Sequence, residues 1–95
     1  YFTAFAGSCG ERYMQMASAM TGTKSKEPMD FVKALASMQQ ACGVGTLKMS
    51  SWNIKKTDLP GFVQNARSTM GGLFSCDPRA LTDEEVLEIY NRSYR

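Results

Sequence analysis

The stretch Met70-Gly-Gly-Leu-Phe-Ser-Cys-Asp-Pro-Arg-Ala-Leu-Thr-Asp-Glu-Glu-Val-Leu-Glu-Ile-Tyr90 holds a helix ending, a glycine-bearing loop and a strongly capped final helix in direct succession. Thr82 and Glu85 have the spacing of a capping box, in which each side chain satisfies a backbone N–H that the first helical turn leaves unpaired. Leu81 and Val86 flank that box as a hydrophobic staple. Asp83, Glu84 and Glu85 suit the positive end of a helix dipole. Val86, Ile89, Tyr90 and Tyr94 are expected to face inward from a helix running from Asp83 to about Ser93. Before it, Gly71-Gly72 is expected to end the preceding helix and to let the chain turn sharply, with the large apolar side chains Leu73 and Phe74 carried on the turn. A loop of that form suits the wall of a pocket.

Three further helices are expected upstream, giving an all-α chain of about four helices with no strand alternation. Ser8 and Glu11 have capping-box spacing, and Tyr13, Met14, Ala17 and Met20 follow at helical intervals up to Gly22, which defines a first helix over residues 9–20. Pro28 stands in the first turn of a second helix over residues 28–42, where its missing N–H costs nothing. Phe31, Leu35, Met38 and Cys42 form one stripe along that helix, and Gly43 ends it. Methionine at such spacing is core filler. The segment Val44–Lys56 is irregular, with a short turn at Thr46–Met49, and its Trp52 is expected to cover the edge of the core. Thr57 caps a third helix with Pro60 in its first turn and Leu59, Phe62, Val63, Ala66 and Met70 on its apolar face.

With 95 residues the chain fits one domain or part of one, and residues 1–95 read as a single helical unit. A net charge of +2, with 21% charged residues spread along the chain, forms neither a basic stripe nor an acidic tail, so no nucleic-acid or membrane-surface partner is expected. The lysines at 24, 26, 55 and 56 read as solvated loop charges. No apolar run approaches the roughly 20 residues of a membrane span and no secretory leader is visible, so a cytoplasmic location is expected. Tyr1-Phe-Thr-Ala-Phe-Ala6 resembles the tail of an apolar element cut from a longer protein.

Cys9, Cys42 and Cys76 are odd in number and far apart, which argues against a disulfide framework and for inert, at least half-buried thiols. Their near-equal spacing suggests a repeat of about 33 residues, but the neighbouring residues do not match. The chain has no histidine, which removes the usual metal-binding imidazole, the usual general base and the Ser-His and Cys-His nucleophile pairs. The acids at 83–85 are accounted for by the helix start. Gly43-Val-Gly45 has neither the preceding strand nor the following Lys-Ser/Thr of a phosphate loop. Residue chemistry alone supports a helical domain without a self-sufficient active site.

Five runs occur in order: Phe31-Val-Lys-Ala-Leu, Ala41-Cys-Gly-Val, Leu47-Lys-Met-Ser, Asn65-Ala-Arg-Ser-Thr-Met-Gly-Gly-Leu-Phe and Asp77-Pro-Arg-Ala-Leu-Thr-Asp-Glu-Glu-Val-Leu-Glu-Ile-Tyr. Together they resemble the C-terminal end of the iron-containing alcohol dehydrogenases, from about Glu11 to Tyr94. The resemblance implies a two-domain enzyme, with an N-terminal nucleotide-binding domain and a C-terminal all-helical domain to which this chain contributes the last helices. It also implies Fe2+ or another divalent metal held by an aspartate and three histidines, which polarises the alcohol or carbonyl oxygen, and NAD(P), which carries hydride. Those ligands belong to an earlier part of the family's chain, so none is expected here and none of these residues is expected to be catalytic, metal-binding or nucleotide-binding. The resemblance makes Met70, Leu73 and Phe74 candidates for lining an apolar alcohol or aldehyde pocket. The implied partners are the remainder of a parent dehydrogenase and its small substrate, and self-association is expected through the apolar surface left exposed. The alternative of a different class is a stand-alone helical module whose methionine-rich grooves bind a partner helix.

Overall fold

The computed structural model describes residues 1–95. It is all-α, with α1 at Phe2–Phe5, α2 at Gly10–Thr21, α3 at Met29–Ala41, α4 at Leu59–Phe74 and α5 at Asp83–Ser93, and no strand. Two compact units divide the chain, Tyr1–Thr46 and Leu47–Arg95. No helix is long and apolar enough to cross a membrane.

The first unit is built around aromatic rings. Phe5 and Phe31 are almost wholly buried, with Tyr13 and Ala17 beside them at the i, i+4 spacing of one α2 face. The Phe31 ring meets Phe2 edge-on at 5.4 Å and Tyr13 at 4.9 Å between centroids, within the range at which aromatic pairs add to simple burial. Burial is also the main cause that raises the Tyr13 hydroxyl above its ordinary pKa, with Cys9 adding to it. The apolar start of the chain is thus a short helix that supplies core. Its presence moves the cap expected at Ser8: the Ser8 and Cys9 N–H groups both donate to the Phe5 carbonyl, and Cys9 becomes the N-cap of α2 without a side-chain bond. At the far ends of α2 and α3, Gly22 and Gly43 take φ of 71° and 73°, a left-handed conformation that costs glycine little.

The connection from α2 to α3 is ordered by its polar groups. Asp30, in the first turn of α3, accepts the N–H of Lys26 at 3.0 Å, the N–H of Glu27 at 3.2 Å and the Ser25 hydroxyl at 3.0 Å. Ser18 on α2 accepts the Ser25 N–H at 2.9 Å and donates its hydroxyl to the Met14 carbonyl. The stripe expected along α3 is buried only at its start. Phe31 is inside and Leu35 half-buried, whereas Met38 is 49% exposed and Cys42 is exposed. A shared helical face becomes core only as far as another element covers it.

In the second unit, Leu59 and Val63 of α4 and Leu81 and Val86 at the start of α5 form the interior. Phe62 and Tyr90 meet edge-on at 6.1 Å beside them. The cap expected at Thr57 is displaced: a 3-10 turn at Lys56–Asp58 leads directly into α4, and the Asp58 carboxylate accepts the Lys55 N–H at 2.9 Å. Another 3-10 turn spans Met49–Trp52, close to the turn expected at Thr46–Met49. It leaves Trp52 73% exposed, so the tryptophan does not cover the core edge. The capping box of α5 forms as expected, with Glu85 N–H donating to the Thr82 hydroxyl and Thr82 N–H to the Glu85 carboxylate. Tyr94 donates to the Ile54 carbonyl at 3.2 Å, and Ser50 donates to the Arg95 carbonyl at 2.9 Å. These bonds pin the last residues to the loop before α4.

Candidate functional site

The one region singled out by sequence, Met70–Phe74, is the last turn of α4 rather than a loop after it. Gly71-Gly72 does not stop the helix. The break falls one residue earlier, at Met70, whose φ of −128° and ψ of 21° are non-helical, and neither glycine takes a positive φ. Beyond Met70 the backbone re-enters the helix and stays helical as far as Phe74.

That break sorts the three candidate residues. Met70 and Leu73 stand outward, 54% and 59% exposed. Phe74 is half-buried, with the Arg67 guanidinium carbon 4.2 Å from its ring centre. The structure therefore leaves Met70 and Leu73 each exposed and makes Phe74 a packing residue. The apolar face expected for α4 correspondingly ends before Met70.

Arg67 is the residue that sequence reasoning missed. Its Nε donates to Asp83 Oδ1 at 2.9 Å and its Nη2 to the Leu81 carbonyl, while the Gln64 amide donates to Asp83 Oδ2 at 3.2 Å. Asp83 thus does more than favour the helix dipole, because it receives two side chains from α4. A signal was present: Arg67 is the only basic residue between Lys56 and Arg79, and it precedes Phe74 by seven residues, two helical turns. On the other side of the loop, Arg79 bonds the Glu85 carboxylate, which holds that carboxyl below its ordinary range, the Thr82 N–H adding to the effect.

A metal finds no donor set here. No group of three or more His, Cys, Asp or Glu residues lies close enough to hold one, so the residues present do not fit the iron of the family the sequence resembles. The three cysteines are free thiols, Cys9 half-buried and Cys42 and Cys76 exposed, which corrects the expectation that all are at least half-buried. Cys42 lies past the covered part of α3, and Cys76 lies in the short connection after α4. Compared with known proteins, the chain matches no family model, no curated protein and no solved structure.

Proposed function

We propose that the chain is the C-terminal helical part of an iron-dependent, NAD(P)-linked alcohol dehydrogenase of two domains, in which it supplies one apolar side of the substrate cleft and is inactive alone. The observation that carries this reading is the outward placement of Met70 and Leu73, two large apolar side chains near the end of α4, within the last third of the chain, where the resemblance to the family is most specific. Outward apolar groups at a fixed backbone position suit an alcohol or aldehyde chain, whose recognition is mostly apolar with a few polar anchors. No chemical step falls to a residue of this chain, whose donor groups do not fit the metal. The parent protein, Fe2+ and NAD(P) are its partners in this reading, and its place is the cytoplasm.

The test is an assay of NAD(P)-dependent oxidation of ethanol and 1-butanol by the protein in its full genomic length, beside the isolated 95 residues. Metal-dependent turnover by the long protein and none by the short one is expected, with Fe2+ or Zn2+ supplied to both. Turnover by the isolated chain, or a reading frame that opens directly before Tyr1, overturns the proposal.

A second reading, a stand-alone module that binds a partner helix, draws on the outward methionines Met16, Met20 and Met38 of the first unit. Self-association of the isolated chain at high concentration is expected under either reading.

A further inference from the structure

The loop that leads into α4 combines a bare aromatic ring with charges of one sign. Trp52 closes the 3-10 turn Met49–Trp52 and is 73% exposed, and Leu47, just ahead of that turn, is 56% exposed. From Leu47 to Thr57 the chain carries Lys48, Lys55 and Lys56 and no acid. All three lysines are exposed and, unlike Lys33, Arg67, Arg79 and Arg92, they enter no ion pair. Asp58, the next acid along, is engaged by the Lys55 N–H at 2.9 Å. A fourth cationic residue arrives from the far end of the sequence: the Arg95 carbonyl accepts the Ser50 N–H at 3.1 Å and the Ser50 hydroxyl at 2.9 Å. Charge that looks evenly spread along the sequence is thus gathered by the fold at one loop. The loop is also held in shape. Asn53 takes a left-handed φ of 60°, the Ile54 N–H donates to the Met49 carbonyl at 3.3 Å, and the Ile54 carbonyl accepts the Tyr94 hydroxyl at 3.2 Å. A ring on a fixed backbone loses little freedom when a partner covers it.

Charge and shape decide which partner that is. A second copy meeting this surface across a two-fold axis sets lysine against lysine, because such an interface pairs one patch with itself. A peptide helix needs a groove to lie in, and side chains as open as Trp52 and Leu47 do not sit on the floor of one. Single-stranded nucleic acid stacks successive bases on several aromatic rings along a basic groove, and residues 47–58 hold one ring. An anionic bilayer needs neither groove nor repeated rings. Its headgroups attract the lysines, and its interface favours indole, which is apolar with one N–H donor.

We propose that the loop Leu47–Lys56 is a peripheral contact site for anionic lipid bilayers, with Trp52 and Leu47 entering the headgroup region and Lys48, Lys55 and Lys56 facing the lipid charges. This goes beyond the dehydrogenase reading and does not depend on it, and no helix crosses the bilayer.

The experiment measures co-sedimentation of the protein in its full genomic length with phosphatidylcholine vesicles, with and without phosphatidylserine, at low and high salt. Binding is expected only with phosphatidylserine and is lost at high salt. Each lysine near such a surface contributes about fivefold to partitioning, so the double variant Lys55→Ala/Lys56→Ala should bind about 25-fold more weakly. Trp52→Ser should weaken binding about tenfold, since the indole no longer leaves water. The emission of Trp52, taken as the difference between wild type and Trp52→Phe, should shift to the blue on adding the anionic vesicles. That readout needs no disruptive variant. No binding or blue shift with phosphatidylserine vesicles overturns the proposal, as does equal binding to neutral vesicles or binding unchanged in the folded variants. Displacement from the vesicles by single-stranded oligouridine at equal salt overturns it in favour of nucleic acid.

Discussion

Arg67 Nε lies 2.9 Å from Asp83 Oδ1 while the same guanidinium covers the Phe74 ring at 4.2 Å, so one side chain joins the last turn of α4 to the first of α5. An exposed ion pair contributes about 0–1 kcal/mol and a surface cation–π contact about 0.5–1 kcal/mol. Arg67 combines both with a bond to the Leu81 carbonyl, and its side chain is only 27% exposed. Arg67→Met is therefore expected to destabilise the protein by about 1–2 kcal/mol in urea unfolding. The cycle with Asp83→Asn should show coupling of more than about 0.5 kcal/mol; additive losses would mean that the pair does not form in solution.

Leu59 and Leu73 are the same residue type near the two ends of one helix, with 0% and 59% exposure. Leu59→Ala empties a filled site and should cost about 2–5 kcal/mol. Leu73→Ala removes no packed group and should change stability by less than about 0.5 kcal/mol. Thermal or urea unfolding of the two variants checks this directly. Equal losses would contradict the outward placement of Leu73 on which the functional reading depends.

Asp30 makes the α2–α3 connection sensitive to acid. Its carboxyl is held at about 2, against an ordinary 3.8, by the Lys26 N–H first, then by the Ser25 hydroxyl and the Glu27 N–H. Because the folded value is the lower one, the stabilisation is complete above the unfolded value and is lost as pH falls from about 4 to about 2. The protection of the Lys26 and Glu27 amides, measured against the intrinsic exchange rate at each pH, should fall across that window and be low already at neutral pH in Asp30→Asn. A carboxyl resonance of Asp30 that titrates at the ordinary value would exclude the network.

Trp52 is the sole tryptophan and is 73% exposed. Its fluorescence in the isolated chain at low concentration should match that of free indole in water and be fully open to a soluble quencher. Blue-shifted, protected emission under those conditions would mean that Trp52 is covered within one chain. A blue shift that develops only with rising concentration would place Trp52 in the self-association surface expected from the exposed apolar groups.

The helices and most of their ends were legible in the sequence, because the signals are local. The Thr82–Glu85 box and the stops at Gly22 and Gly43 each involve residues a few positions apart and form as read, and Leu81 and Val86, the pair expected to flank the box, are both buried. The local signals that failed were overridden by their neighbours. Ser8 lost its cap to the preceding helical turn, whose Phe5 carbonyl takes the N–H groups. Gly71-Gly72 stayed helical, and the break fell at Met70 instead. The run Met70–Phe74 stands out in the sequence, but which of its side chains are covered is not readable there, since that depends on Arg67 and on Asp83 sixteen residues beyond it.

By itself, then, the sequence determined that this is an all-helical chain and where its four longer helices lie, since capping and periodicity act within a few residues. Only the tertiary structure decided which apolar faces are covered. Periodicity says which residues share a face and is silent on whether another element packs there. That is why Phe31, Leu59 and Val63 are core while Met38, Met70, Leu73 and Trp52 stand in solvent. It is also why Phe74, grouped by sequence with Met70 and Leu73, lies beneath Arg67 instead.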